Sequence, residues 1–238
     1  MADTSSDRQP VWDLPVRFFH WALVAMVTFQ AITGLWGGPA EMEWHGRVGL
    51  TILTLVLFRL IWGVVGGRHA RFNDFVRGPK AIIGYLRAST STAQNDNPPG
   101  HNPLGGWSVL AMLAVLALQA GLGLFANDDI LFEGPLMHLV DKGMSDILTG
   151  YHQLSAQTLL ALVGLHVAVI IIYRLRGKNL LTPMITGYRR TEPSETINEQ
   201  THDMADDSNS SVPVMGSPVK ALIVLITAAA VVLGILNL

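Results

Sequence analysis

His152 and His166 lie fourteen residues apart in one apolar run that opens Gly150-Tyr151-His152 and passes through Leu165-His166-Val167. On a helix at about 100° and 1.5 Å per residue, their side chains fall within about 40° of one face and about 21 Å apart along the axis. Neutral imidazole nitrogen is a good ligand for iron. One helix therefore presents two nitrogen ligands at two depths, and each needs a partner at its own depth to do chemistry.

The chain that must supply those partners reads as a membrane protein. Half of its 238 residues are hydrophobic, 14% are charged, and the mean hydropathy is positive. The apolar residues come in blocks rather than in a surface-helix period. It contains no cysteine, which excludes disulfides, zinc-thiolate sites, iron–sulfur clusters and covalently attached c-type haem. The polar first fifteen residues carry Asp3, Asp7 and Asp13 without a basic leader or cleavage site, so the first apolar segment is expected to be retained.

Five stretches are long enough to span a bilayer: residues 16–36, 45–66, 105–125, 151–175 and 219–236. Their connections sort by charge. The 67–104 loop carries Arg68, Arg71, Arg77, Lys80 and Arg87, and the segment after the fourth span carries Arg174, Arg176, Lys178, Arg189 and Arg190. The 37–44 loop has only Glu41 and Glu43, and the 126–150 loop has one lysine among five acids. Positive charge marks the cytoplasmic side. The N-terminus, the 67–104 loop and the 176–218 segment are accordingly expected inside, and the C-terminus outside.

Residues 81–87 and 136–148 read as short amphipathic helices lying on the inner and outer surfaces. Residues 191–218, with six acids and no lysine or arginine through position 217, read as a flexible linker to a plain fifth span without ionisable or aromatic residues from Ala221 to Leu236. The expected organisation is an N-terminal segment at 1–15, a four-helix unit at 16–190, the linker, and a C-terminal helix at 219–238. That helix reads as an anchor, or as a docking helix for a partner or a second copy.

Charge topology then gives every histidine a depth. His20 sits one turn inside the inner face on span one, and His45 lies near the outer face on span two. Span four descends from outside, so His152 is outer and His166 inner. Depth pairs His45 with His152 and His20 with His166, the arrangement two bis-histidine b haems require. A single intramembrane histidine is ordinarily a hydrogen-bonded or interfacial residue; four at matching depths on three helices point to haem iron. A histidine-based metal transporter is the competing reading, but spans one to four contain no carboxylate within the membrane.

Gly34, Gly49, Gly121, Gly123 and Gly164 leave little bulk inside the helices, which suits either a porphyrin or close helix packing. Arg59, fourteen residues after His45, and Arg17 are placed for inner propionates, and Arg47 for an outer one. His101, in Gly100-His101-Asn102-Pro103, opens span three and could cap the helix, contact a propionate or help bind a quinone. His69, His138 and His202 read as surface residues, His138 with a lid over the outer haem as its other reading.

At these residues the chain resembles the prokaryotic di-haem cytochrome b561 family, including the b-type cytochrome subunits of nickel–iron hydrogenases. The resemblance runs from about Val11 to Arg190. It rests on Trp12-Asp13-Leu14-Pro15-Val16-Arg17-Phe18-Phe19-His20-Trp21, Trp44-His45-Gly46-Arg47-Val48-Gly49 and Phe58-Arg59-Leu60-Ile61-Trp62-Gly63. Gly100-His101-Asn102-Pro103-Leu104-Gly105 and the His152/His166 pair complete it.

It implies an all-α integral membrane four-helix bundle with two haem b, its last helix serving both, to which this chain adds a fifth C-terminal helix. It further implies electron transfer between the quinone pool and a redox partner, either a periplasmic c-type cytochrome or a redox-enzyme subunit, in the bacterial inner membrane. An electron-transfer subunit is expected rather than an independent enzyme, and no nucleic-acid partner. A related branch, which oxidises superoxide to reduce quinone, supplies the enzymatic alternative.

Overall fold

The computed structural model describes residues 8–89, 100, 102–190 and 215–237; His101, His202 and almost all of the expected linker lie outside them. A strand β1 (Arg8–Pro10) leads into helices α1 (Leu14–Trp36), α2 (Pro39–Val65), α3 (Phe72–Phe75), α4 (Pro79–Ser89), α5 (Pro103–Gly123) and α6 (Lys142–Leu175). Helix α7 (Leu181–Thr186), strand β2 (Tyr188–Arg190) and helix α8 (Pro218–Ile235) follow. Helices α1, α2, α5, α6 and α8 are each long and apolar enough to cross a membrane, making this a multi-pass, all-α membrane protein.

The starts of the long helices are written in the sequence. The Asp13 carboxylate accepts the Val16 N–H at 2.9 Å, the Asn102 amide oxygen accepts Gly105 N–H at 2.7 Å, and Asp141 accepts Met144 N–H at 2.9 Å. Each fills an orphan donor of a first turn. Pro15 and Pro103, within the first turns of α1 and α5, sit where a missing N–H costs nothing.

Two expected connections change. The 37–44 loop reduces to Gly37 and Gly38, because α2 already begins at Pro39. The outer 136–148 helix is replaced by one 3-10 turn, Met137–Leu139, and by the opening turns of α6. Nothing between the Asp141 cap and Tyr151 breaks the helix, so α6 runs for 34 residues, about 51 Å against a hydrocarbon core of about 30 Å. Its first turns therefore stand clear of the core. The inner 81–87 helix appears within α4.

The basic connections lie at one end of the bundle and the acidic ones at the other. At the basic end β1 pairs antiparallel with β2, Gln9 opposite Arg189, and this ribbon joins the segment before α1 to the segment after α6. No alternation in the sequence announced these three-residue strands.

Helix α2 is the hub, packed against α1, α5 and α8. Towards the basic end, fully buried Trp62 is surrounded by Val16, Phe19, Leu55, Phe58 and Leu113, and its indole N–H donates to Asp13 at 3.2 Å. Helix α8 adds Ala221, Val224, Ala228 and Val232, a stripe of one helix face buried on α2. Small residues in that stripe let the two backbones approach closely. The fifth helix is thus more than a bare anchor: it is packed on its own chain. Gly216 makes the entry possible, since a Cβ there would come within 2.3 Å of the Trp62 ring.

Helix α6 behaves differently. It lies along α5 but has little backbone contact with α1 or α2. It meets them through a middle layer, where Leu159 joins Ile52 and Val56 of α2 and Leu116 of α5, with Leu23 and Met26 of α1 alongside. Leu159 is midway between His152 and His166. An apolar layer therefore fills the middle of the bundle, with one histidine of α6 on either side of it.

Candidate cofactor site

Towards the acidic end, α2 and α6 bring His45 and His152 together, ring centroids 6.2 Å apart and ring planes 76° to one another. Two imidazoles on opposite sides of one metal ion, with metal–nitrogen bonds of about 2 Å, have centroids roughly 6 Å apart. Both rings are held from behind. Thr33 of α1 gives its hydroxyl proton to the Phe29 carbonyl at 2.9 Å, so its oxygen accepts His45 Nδ1–H at 3.0 Å. The Gln119 carbonyl of α5 accepts His152 Nδ1–H at 3.0 Å.

With the proton on Nδ1, each Nε2 keeps its lone pair. At His152 that lone pair accepts the Gln119 side-chain amide at 3.1 Å, and Ser155 holds the same amide through its oxygen. An iron ion would take the place of the amide proton.

Two of the glycines read from the sequence have a sharper use than general clearance. A Cβ on Gly34 would sit 3.1 Å from His45 Cε1, and one on Gly123 would sit 3.0 Å from His152 Cε1. They seat the two imidazoles. Gly121 and Gly164 face open space, and Gly49 faces the Gln30 amide.

Towards the basic end, His20 of α1 and His166 of α6 are close enough to interact electrostatically, both half-buried. His20 meets the edge of Trp21 at 5.1 Å, and its Nδ1 is buried without a hydrogen-bond partner among the described residues. Of the two pairs expected from depth, His45 and His152 face one another ring to ring, and His20 and His166 lie within electrostatic reach of one another.

The arginines are engaged in more local ways. Arg59, 3% exposed, donates to the Ala70 carbonyl at 3.1 Å and stacks 5.0 Å over Phe72, tying α2 to the following turn. Arg17 donates to the Ile185 carbonyl near Gly187, and Arg47 pairs at the surface with Glu43 over the Trp44 ring. His138 is exposed. His69 is not a plain surface residue: it is half-buried against Gly100, and burial together with Arg68 holds its pKa below the ordinary histidine value, against the pull of Asp74 and Asp13.

Several site residues escaped the sequence reading. Thr33, Gln119 and Ser155 are polar residues in apolar spans, and that was their available signal: such groups must find partners inside the membrane. Tyr85, Tyr173 and Asn102 form another missed cluster, the phenols 2.9 Å apart and the amide 3.1 Å from Tyr85, latching α4 to α5 and α6. Burial and the hydrogen bond with Tyr173 push Tyr85 up to about 12, so it stays a phenol.

Beside the acidic-end pair, Phe132 packs on Gly46, next to His45. Its loop is pinned by Asp128, which accepts the N–H groups of Phe132, Ile130 and Leu131 at 2.8–2.9 Å. Those bonds, Phe132's foremost, hold the carboxyl below the ordinary aspartate range. A depressed folded-state pKa stabilises the loop above the unfolded value of about 4 and ceases to do so as pH falls through the folded one. Exchange protection at Ile130–Phe132, corrected for intrinsic rates, should fall in that acid window; Asp128→Ala should remove it already at neutral pH. Protection independent of pH would refute the pin.

Two paired imidazoles, seated by glycines and aimed by hydrogen bonds, fit the axial ligation of a haem. A family model described as prokaryotic cytochrome b561 matches residues 11–187. Comparisons with curated proteins and with solved structures gave no match. The match covers α1 through α7 and both histidine pairs, and the chain belongs to the prokaryotic cytochrome b561 family: a haem b membrane cytochrome of electron transfer.

Proposed function

We propose that the chain carries two b haems, one between His45 and His152 and one between His20 and His166, and relays electrons between the quinone pool and a redox partner. The observation that carries this reading is the His45/His152 pair, ring centroids 6.2 Å apart, with His166 on the same helix within electrostatic reach of His20. Bound haem supplies one-electron chemistry; the protein supplies ligands, spacing and burial. Each pair brings imidazoles without a carboxylate, a set that a macrocycle completes better than it encloses a bare transported ion.

The basic end faces the cytoplasm by the charge rule, which places the His45/His152 pair outside, beside a periplasmic c-type cytochrome or an enzyme subunit. Arg17 and Arg59 stand on the inner side and Arg47 on the outer as candidate propionate partners, with His101 a candidate for propionate or quinone contact. The four-helix unit at 16–190 is the electron-transfer part, and α8 supports it along α2.

A dithionite-reduced minus oxidised spectrum with haem quantified per chain tests the reading. Two b haems per polypeptide are expected. One or none would overturn the di-haem assignment.

A further inference from the structure

The two histidine pairs are not equally supported. In the outer pair both rings donate Nδ1–H to fixed oxygens. Thr33 is 4% exposed, and the Phe29 and Gln30 carbonyls at 2.9 and 3.3 Å compete for its proton, which leaves its oxygen to accept from His45. The Gln119 carbonyl belongs to the backbone of α5 and cannot rotate away. In the inner pair, His20 Nδ1 is buried with no partner among the described residues. A ring that donates Nδ1–H to an oxygen becomes more basic at Nε2, and a more basic axial ligand stabilises ferric over ferrous iron.

Resting on the di-haem reading above, we infer that Thr33 and the Gln119 carbonyl are positioning groups that make the outer haem the lower-potential one. Haem bound at both levels would then pass one electron downhill from the outer iron to the inner, while the protein's own part is to hold both Nδ1 protons in place. Thr33 fixes the ring tautomer and the Gln119 carbonyl fixes its partner's. With iron bound at Nε2, the Gln119 side chain would give up that nitrogen and keep its bond to Ser155.

Potentiometric titration of the full-length haem-loaded protein tests this, with each wave assigned through His152→Ala. Two waves are expected, and His152→Ala should abolish the lower. Thr33→Val, nearly the same shape without the acceptor oxygen, should raise the lower wave, alter the ferric low-spin resonance of that haem and leave the upper wave in place. Thr33→Ser should restore both. Loss of the outer haem in Thr33→Val but not in Thr33→Ser would be the same anchor failing, and the wild-type order would still be decided by His152→Ala. An unmoved lower wave, or a higher wave abolished by His152→Ala, overturns the inference with both haems bound. A chain with a single haem overturns the di-haem reading instead.

Discussion

His152→Ala should halve the haem content, removing the outer b signal and sparing most of the inner, and His166→Ala should do the converse. The expectation follows from the proposed di-haem arrangement, in which α6 alone serves both sites with about 21 Å between its two histidines. His152 faces His45 and is aimed by Gln119, whereas His166 has its proposed partner in His20, so neither substitution removes the other pair. The middle layer of Ile52, Val56, Leu116 and Leu159 keeps the two levels apart and is untouched by either change. Haem quantification with redox-difference spectra of both variants is the measurement. Two haems at full occupancy in either variant would refute the pairing.

Gly123→Val should have nearly as large an effect without touching a ligand. A Cβ at this position would already approach His152 Cε1 to 3.0 Å and Nδ1 to 3.4 Å, and valine adds two methyl groups to that contact. The imidazole sits between α5 and α6, with its Nδ1–H bound to the α5 backbone, so the ring must turn and give up that bond. The outer haem should be lost while the inner remains. Gly34→Val should act the same way through His45, whose Cε1 lies 3.1 Å from the corresponding Cβ position. Helix content by circular dichroism should be unchanged in both. An outer haem at wild-type occupancy and midpoint in Gly123→Val would show that the ring has no seat there.

These effects also mark what the sequence made legible. Hydropathy and charge located all five long helices, and the depth of each loop put His45 and His152 at the same end, where their rings face one another. Those signals are long, periodic and close to one-dimensional. Contacts that depend on where one helix rotates against another were harder to read. Gly34 and Gly123 looked like generic small residues because their neighbours, His45 and His152, come from other helices. Thr33 and Gln119 were visible as polar residues, but not as acceptors for particular ring nitrogens.

The fifth helix shows the same limit. Its composition announced a span, while the pairing of Ala228 with α2 depends on a groove built by residues far away in the chain. The length of α6 was missed for a simpler reason. Hydropathy ends where the bilayer does, but the helix continues for as long as a cap and the absence of a breaker allow.

The apolar middle layer of the bundle has an electrical consequence. With the histidine levels about 21 Å apart on α6 in a hydrocarbon core of about 30 Å, an electron passing between them would traverse roughly two-thirds of the insulating layer. At about 2.3 kcal/mol per charge for each 100 mV, that step is worth about 1.5 kcal/mol in the field of an energised membrane. Because the buried layer of Leu159, Ile52, Val56 and Leu116 is apolar, it would carry no proton with the electron. Membrane voltage would act directly on the traffic between the two levels, opposing it in one direction and driving it in the other.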